Sequence, residues 1–136
     1  MSSIIKELIA EHKIILKHVD ILKNGVDNPE LIKNSYSQLK ELLIAHLQKE
    51  DNKLYPLLKK IAQGDPNRSR LLAKYIKEII TISDEVINFF SLYKEPEAGI
   101  NFTSDLGAII GKLSVRISFE NNIFFKEFEK DIEAVN

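Results

Sequence analysis

Apolar residues recur along this chain in steps of three and four, the spacing that lays a stripe down one face of an α-helix. Over 4–23 the stripe is Ile5, Leu8, His12, Ile15, Val19 and Leu22, and over 67–93 it is Leu72, Tyr75, Ile79, Ile82, Val86 and Phe89. Over 30–63 it runs Leu39, Leu43, His46, Glu50, Leu54, Leu57 and Ile61. The last stretch, 103–134, carries Leu106, Ile109, Leu113, Arg116, Glu120, Phe124 and Phe128. No stretch alternates with the period of two that a half-buried strand requires. Three clusters of turn residues separate the stretches: Asn24-Gly25 with Asp27-Asn28-Pro29, Gly64-Asp65-Pro66-Asn67, and Lys94 to Gly99. Asn28 and Asp65 are placed to cap helices whose first turns hold Pro29 and Pro66. Short connections make successive helices antiparallel. The pattern therefore predicts an all-α fold, an up-down-up-down antiparallel four-helix bundle, with residues 1–136 as one domain.

The two halves share a plan. A shift of 67 lays His12 on Ile79, Ile15 on Ile82 and Val19 on Val86, and a shift of 70 lays His46 on Arg116, Glu50 on Glu120 and Leu54 on Phe124. Each half is a helical hairpin, and the two are expected to superpose with these equivalences. Five polar residues interrupt the apolar stripes: His12, His46, Glu50, Arg116 and Glu120. A lone charge in a bundle core costs several kcal/mol, so these side chains must meet one another, a metal or water. His46 and Glu50 stand one turn apart, as do Arg116 and Glu120, so each pair can address one central point. All five are expected to converge in one buried pocket, with Arg116 bonded to at least one glutamate.

Composition narrows the chemistry. The chain has 136 residues, with 19 basic and 20 acidic side chains and a net charge of -1, which leaves no basic field for nucleic acid or an acidic membrane. Lys59-Lys60 and Arg68/Arg70 read as solvated helix ends, and Glu7/Glu11 and Glu127/Glu129/Glu133 as solvated faces. There is no cysteine, which excludes disulfides, thiolate catalysis, iron–sulfur clusters and cysteine-based zinc sites. No apolar run is long enough to span a bilayer, and the start carries no signal peptide, so the expected compartment is cytoplasmic. His18, about 120° around the helix from His12, reads as a boundary or surface residue. Tyr75 reads as core, and the phenylalanines as core fill. No Gly-rich phosphate loop or activated nucleophile is present.

The stretch from Leu39 through His46-Leu-Gln-Lys-Glu50 to Tyr55-Pro56 resembles the signature helix of hemerythrin-like HHE domains. Glu11-His12 is similar to that family's first-helix ligand. Arg116-Ile-Ser-Phe-Glu120 resembles its fourth-helix His-x-x-x-Glu with arginine in the histidine's place. The resemblance implies a non-haem iron site in the middle of the bundle, often a di-iron centre, serving oxygen or nitric oxide binding, iron sensing, or repair of damaged iron centres. His12, His46, Glu50 and Glu120 carry over as metal ligands. The third-helix and fourth-helix histidines do not, because Ile79 and Arg116 stand there. An oxygen carrier of this type uses more histidines than the three in this chain.

Two readings follow. In one, a single ion sits on His12, His46 and Glu50, completed by Glu120 or water. Iron is the expected ion, with zinc as a substitute, and the role is sensing or binding rather than turnover. In the other, Arg116 supplies the positive charge to a closed, metal-free network, and the bundle serves as a protein-interaction or regulatory module.

Overall fold

In a computed structural model that describes residues 2–24 and 27–135, the chain forms four helices. They are α1 (Ser3–Lys23), α2 (29–62), α3 (Pro66–Leu92) and α4 (100–135). Among the described residues there is no strand, and no helix is long and apolar enough to cross a membrane. The helix starts are set by the residues expected to set them. Asn28 Oδ1 accepts from Leu31 N at 3.2 Å ahead of Pro29, and Asp65 Oδ1 accepts from Asn67 N and Arg68 N at 3.1 Å each ahead of Pro66. Gly64 turns the chain there with φ of 87°. The first connection runs from Asn24 to Asn28, with Gly25 itself outside the described residues. Helix α4 begins three residues before the expected stretch 103–134, because Phe102 already packs against Tyr36, Phe89 and Tyr93.

Helices α2 and α4 each contain a π turn, and neither was foreseen. In α2 it spans Glu50–Leu54, where Tyr55 N donates to Glu50 O; in α4 it spans Glu120–Phe124, where Phe125 N donates to Glu120 O. The two sit at the offset of 70 that relates the halves of the sequence. A π turn takes one residue more than an α turn, so the stripe beyond it is displaced by one position. Leu58 and Ala62 are accordingly buried, whereas Leu57 and Ile61, the positions expected from an unbroken α period, are half-buried. In α3 the buried stripe includes Ile76 and Phe90, with Tyr75 and Ile82 half-buried.

Two apolar cores result. One gathers Ile15, Val19, Leu39, Leu43, Val86 and Leu113 with the Tyr36–Phe89–Phe90–Phe102 aromatic group. The other gathers Ile5, Leu8, Leu54, Leu58, Leu72, Ile79 and the Phe124–Phe125–Phe128 group. Tyr75 packs on Phe119, Phe124 and Phe128 in the second, as core. Outside the polar layer, the surface assignments of His18 and Arg68 need correction. His18 is buried, 8% exposed, because its face of α1 meets α2, where its ring Nδ1 lies 2.8 Å from Ser35 Oγ. Arg68 is no free helix end: it lies over the Phe128 ring at 4.6 Å and pairs with Asp131 at 2.7 Å, tying the start of α3 to the end of α4.

Candidate metal centre

Between the two cores lies a polar layer formed by the residues that break the stripes. His12 comes from α1, His46 and Glu50 from α2, and Arg116 and Glu120 from α4, all of them buried. Both glutamates open a π turn, and each stands four residues after His46 or Arg116 on the same face of its helix, with its carboxylate in the bundle centre. Layer and convergence match the sequence expectation.

Arg116 bridges the carboxylates. Its Nε donates to Glu120 Oε1 at 2.7 Å, its Nη2 to Glu50 Oε1 at 3.0 Å, and its Nη1 to Ser83 Oγ on α3 at 2.6 Å. Glu50 Oε1 also lies 2.9 Å from His46 Nε2, and Tyr55 Oη donates to Glu50 Oε2 at 3.3 Å. Glu120 Oε2 is buried and makes no hydrogen bond among the described residues, with His12 Nε2 the ring nitrogen beside it at 3.5 Å. Burial pushes the Glu50 carboxyl up to about 8, reinforced by the charge of Glu120 and opposed by His46 and Arg116. Burial acts on Glu120 in the same direction, but the His12 imidazole 3.5 Å away and the charge of Arg116 outweigh it and hold that carboxyl low.

The histidines are fixed from outside the layer. His46 Nδ1 lies 2.8 Å from Glu11 Oε1, and an ionised carboxylate can only accept, so Nδ1 carries the proton. Glu11 is in turn held by Lys49. His12 Nδ1 lies 2.7 Å from Asn121 Oδ1, and the His12 ring stacks on Phe125. With both Nδ1 atoms donating outward, both Nε2 lone pairs face inward, and they are only 3.1 Å apart. Two lone pairs at that distance repel unless a proton or a cation lies between them. Burial lowers the His46 pKa, but hydrogen bonding and charge from Glu50, with Glu120 and Glu11, raise it above the ordinary histidine value.

His12 Nε2, His46 Nε2 and a Glu120 oxygen lie within 4.8 Å of one another. Ligands about 2.0–2.1 Å from one ion and roughly 90–110° apart stand about 2.8–3.4 Å from each other, which is the His12–His46 spacing. The inward lone pairs, the buried Glu120 oxygen and the outward Nδ1 partners all fit a cation. A family model described as hemerythrin HHE cation binding domain matches residues 3–128. The chain belongs to this family. No curated protein and no solved structure matches it significantly.

Within this HHE domain the structure adds residues that the stripes did not reveal. Glu11, read as solvated, is 24% exposed and orients His46. Asn121 orients His12, Ser83 holds Arg116, and Tyr55 caps Glu50. Glu11 adjoins His12 and Asn121 adjoins Glu120, and that adjacency was the available signal. Tyr75, read as core, packs on Phe119 as expected.

Proposed function

We propose that this HHE domain is a mononuclear cation-binding module, with iron as its ion, acting in sensing or binding rather than turnover. His12, His46 and Glu120 supply the ligands, and Glu50 joins them when it exchanges Arg116 for the ion. The observation that carries this reading is the pair of inward Nε2 atoms 3.1 Å apart, with Glu120 Oε2, which makes no hydrogen bond, 3.5 Å from His12 Nε2. Two histidines and one carboxylate leave open positions on Fe(II), with zinc as a substitute, and such an ion supplies the means of holding a small ligand such as oxygen or nitric oxide.

Arg116 argues for one ion rather than two. A divalent ion ~4 Å from its guanidinium meets a repulsion of roughly 8 kcal/mol at an effective dielectric constant of about 20. The chain's own residues do the rest: Glu11 and Asn121 hold the imidazoles in the metal-binding tautomer, and the two apolar cores keep bulk water from the layer.

A second reading is supported by the Arg116 fork onto both glutamates, which supplies the layer's counter-charge without metal. The domain would then serve as a metal-free interaction or regulatory module. Metal analysis and visible spectra of wild type, His12→Ala and Arg116→His, made at equal iron supply, separate the two. The first reading expects about one ion per chain in wild type, loss in His12→Ala and an increase in Arg116→His. Metal-free wild type that gains none on Arg116→His leaves the second.

A further inference from the structure

At the level of the polar layer, α3 and α4 leave a cleft of about 150 Å³ lined by Glu78, Ile79, Ile82, Val115, Arg116 and Phe119. Its floor is Ile79 and Arg116, both buried, and its outer lip is Val115, 68% exposed, with the exposed Glu78 beside it. In the internal repeat Ile79 aligns with His12 and Arg116 with His46. The cleft thus lies between the two positions at which the second half of the chain departs from the first.

The lining selects a kind of ligand. Four of the six side chains are apolar, and the guanidinium in the floor already donates from Nε, Nη1 and Nη2 to Glu120, Ser83 and Glu50. An anion would find that positive charge spent on two carboxylates and a third carboxylate, Glu78, at the lip. A cation would meet the guanidinium. An uncharged apolar molecule gives up the least hydration on entering and faces neither charge unpaired. An enclosed apolar cavity of about 150 Å³ takes up xenon or benzene, and this half-open cleft offers a similar volume beside four apolar side chains.

We propose that the α3–α4 cleft is a binding site for a small uncharged apolar molecule, no larger than a benzene ring, seated against Arg116. Such a molecule reaches the polar layer without crossing either apolar core, and it touches the residue that bridges Glu50 and Glu120. The site needs no ion in the centre, so it stands or falls separately from metal binding.

The test uses the full chain, stripped of metal by a chelator, with xenon as the probe and nuclear magnetic resonance as the readout. Saturable shifts confined to Ile79, Ile82, Val115, Phe119 and their neighbours are expected. Val115→Trp, which fills the lip from an exposed position and leaves the cores untouched, should abolish them. Ile82→Phe, filling the cleft from α3, should do the same, and circular dichroism confirms that each variant is folded. Shifts that do not saturate, that spread through both apolar cores, or that persist in the folded Val115→Trp and Ile82→Phe proteins overturn the proposal.

Discussion

Replacing Arg116 by leucine in the metal-free protein isolates what the guanidinium does for the two buried glutamates. The substitution keeps an apolar volume in the stripe and removes three donors, leaving Glu50 and Glu120 fully buried without a counter-charge. Each carboxylate can escape by taking up a proton, and that escape sets the ceiling on the loss. Glu50, already pushed up to about 8, is largely protonated at neutral pH and adds little. Glu120 must be moved from an ordinary carboxyl value of 4.5 in the unfolded chain to the protonated form at pH 7. At about 1.4 kcal/mol per pH unit, this costs about 3.5 kcal/mol, within the range of about 3–5 kcal/mol for breaking a buried ion pair. The sign of the pH dependence follows. In the variant the folded pKa of Glu120 lies above its unfolded value, so its stability is highest in acid and is lost as pH rises. In wild type the folded pKa lies below, and the corresponding stability is present above pH 4.5 and lost as pH falls. The gap between the two proteins should therefore shrink by about 1.4 kcal/mol per unit from pH 7 toward pH 5. Urea denaturation at several pH values, with chelator present, measures it, and Arg116→Leu combined with Glu120→Gln should recover most of the loss. A difference below about 1 kcal/mol at pH 7, or one that is flat between pH 5 and 7, refutes the reasoning.

Two further outcomes are expected. Glu11→Gln, which keeps the shape but weakens the acceptor on His46 Nδ1, should reduce metal affinity by about 10- to 100-fold in a chelator competition, with unfolding of the metal-free protein little changed. Burial, with Lys17 nearby, holds the His18 pKa below its ordinary 6.5, so its contribution to stability is in place above that value and is lost as pH falls through the folded one. His18→Gln should accordingly flatten the fall of the thermal midpoint below pH 6.5, and an unchanged slope counts against a buried neutral His18.

Most of the fold was legible because four apolar stripes and three turn clusters agree, and because Asn28-Pro29 and Asp65-Pro66 are local signals that need no tertiary context. The centre was legible for the opposite reason: His12, His46, Glu50, Arg116 and Glu120 violate their stripes, and a violation inside a core demands a partner. The π turns were not legible. Leu57-Leu58 and Ile61-Ala62 offer an apolar residue in both registers, so the stripe continues on paper whether or not the extra residue is present. The outer partners Glu11 and Asn121 were missed because they flank the stripes, at positions that solvent explains equally well. His18 was misjudged because its angle around α1 says which face it occupies, while only the packing of α2 says that this face is covered.

The matched π turns also determine how the helices stand against one another lengthwise. A bundle whose stripes repeat every three and four residues is nearly indifferent to sliding one helix by a turn, about 5.4 Å, since one leucine then replaces another. Here α2 and α4 change phase at the same height, where Arg116 clasps Glu50 and Glu120. Slip either helix and its widened turn meets an aliphatic layer, while its glutamate faces leucines and loses Arg116. The two irregular turns thus work as a key and slot that fixes the axial registry of the bundle.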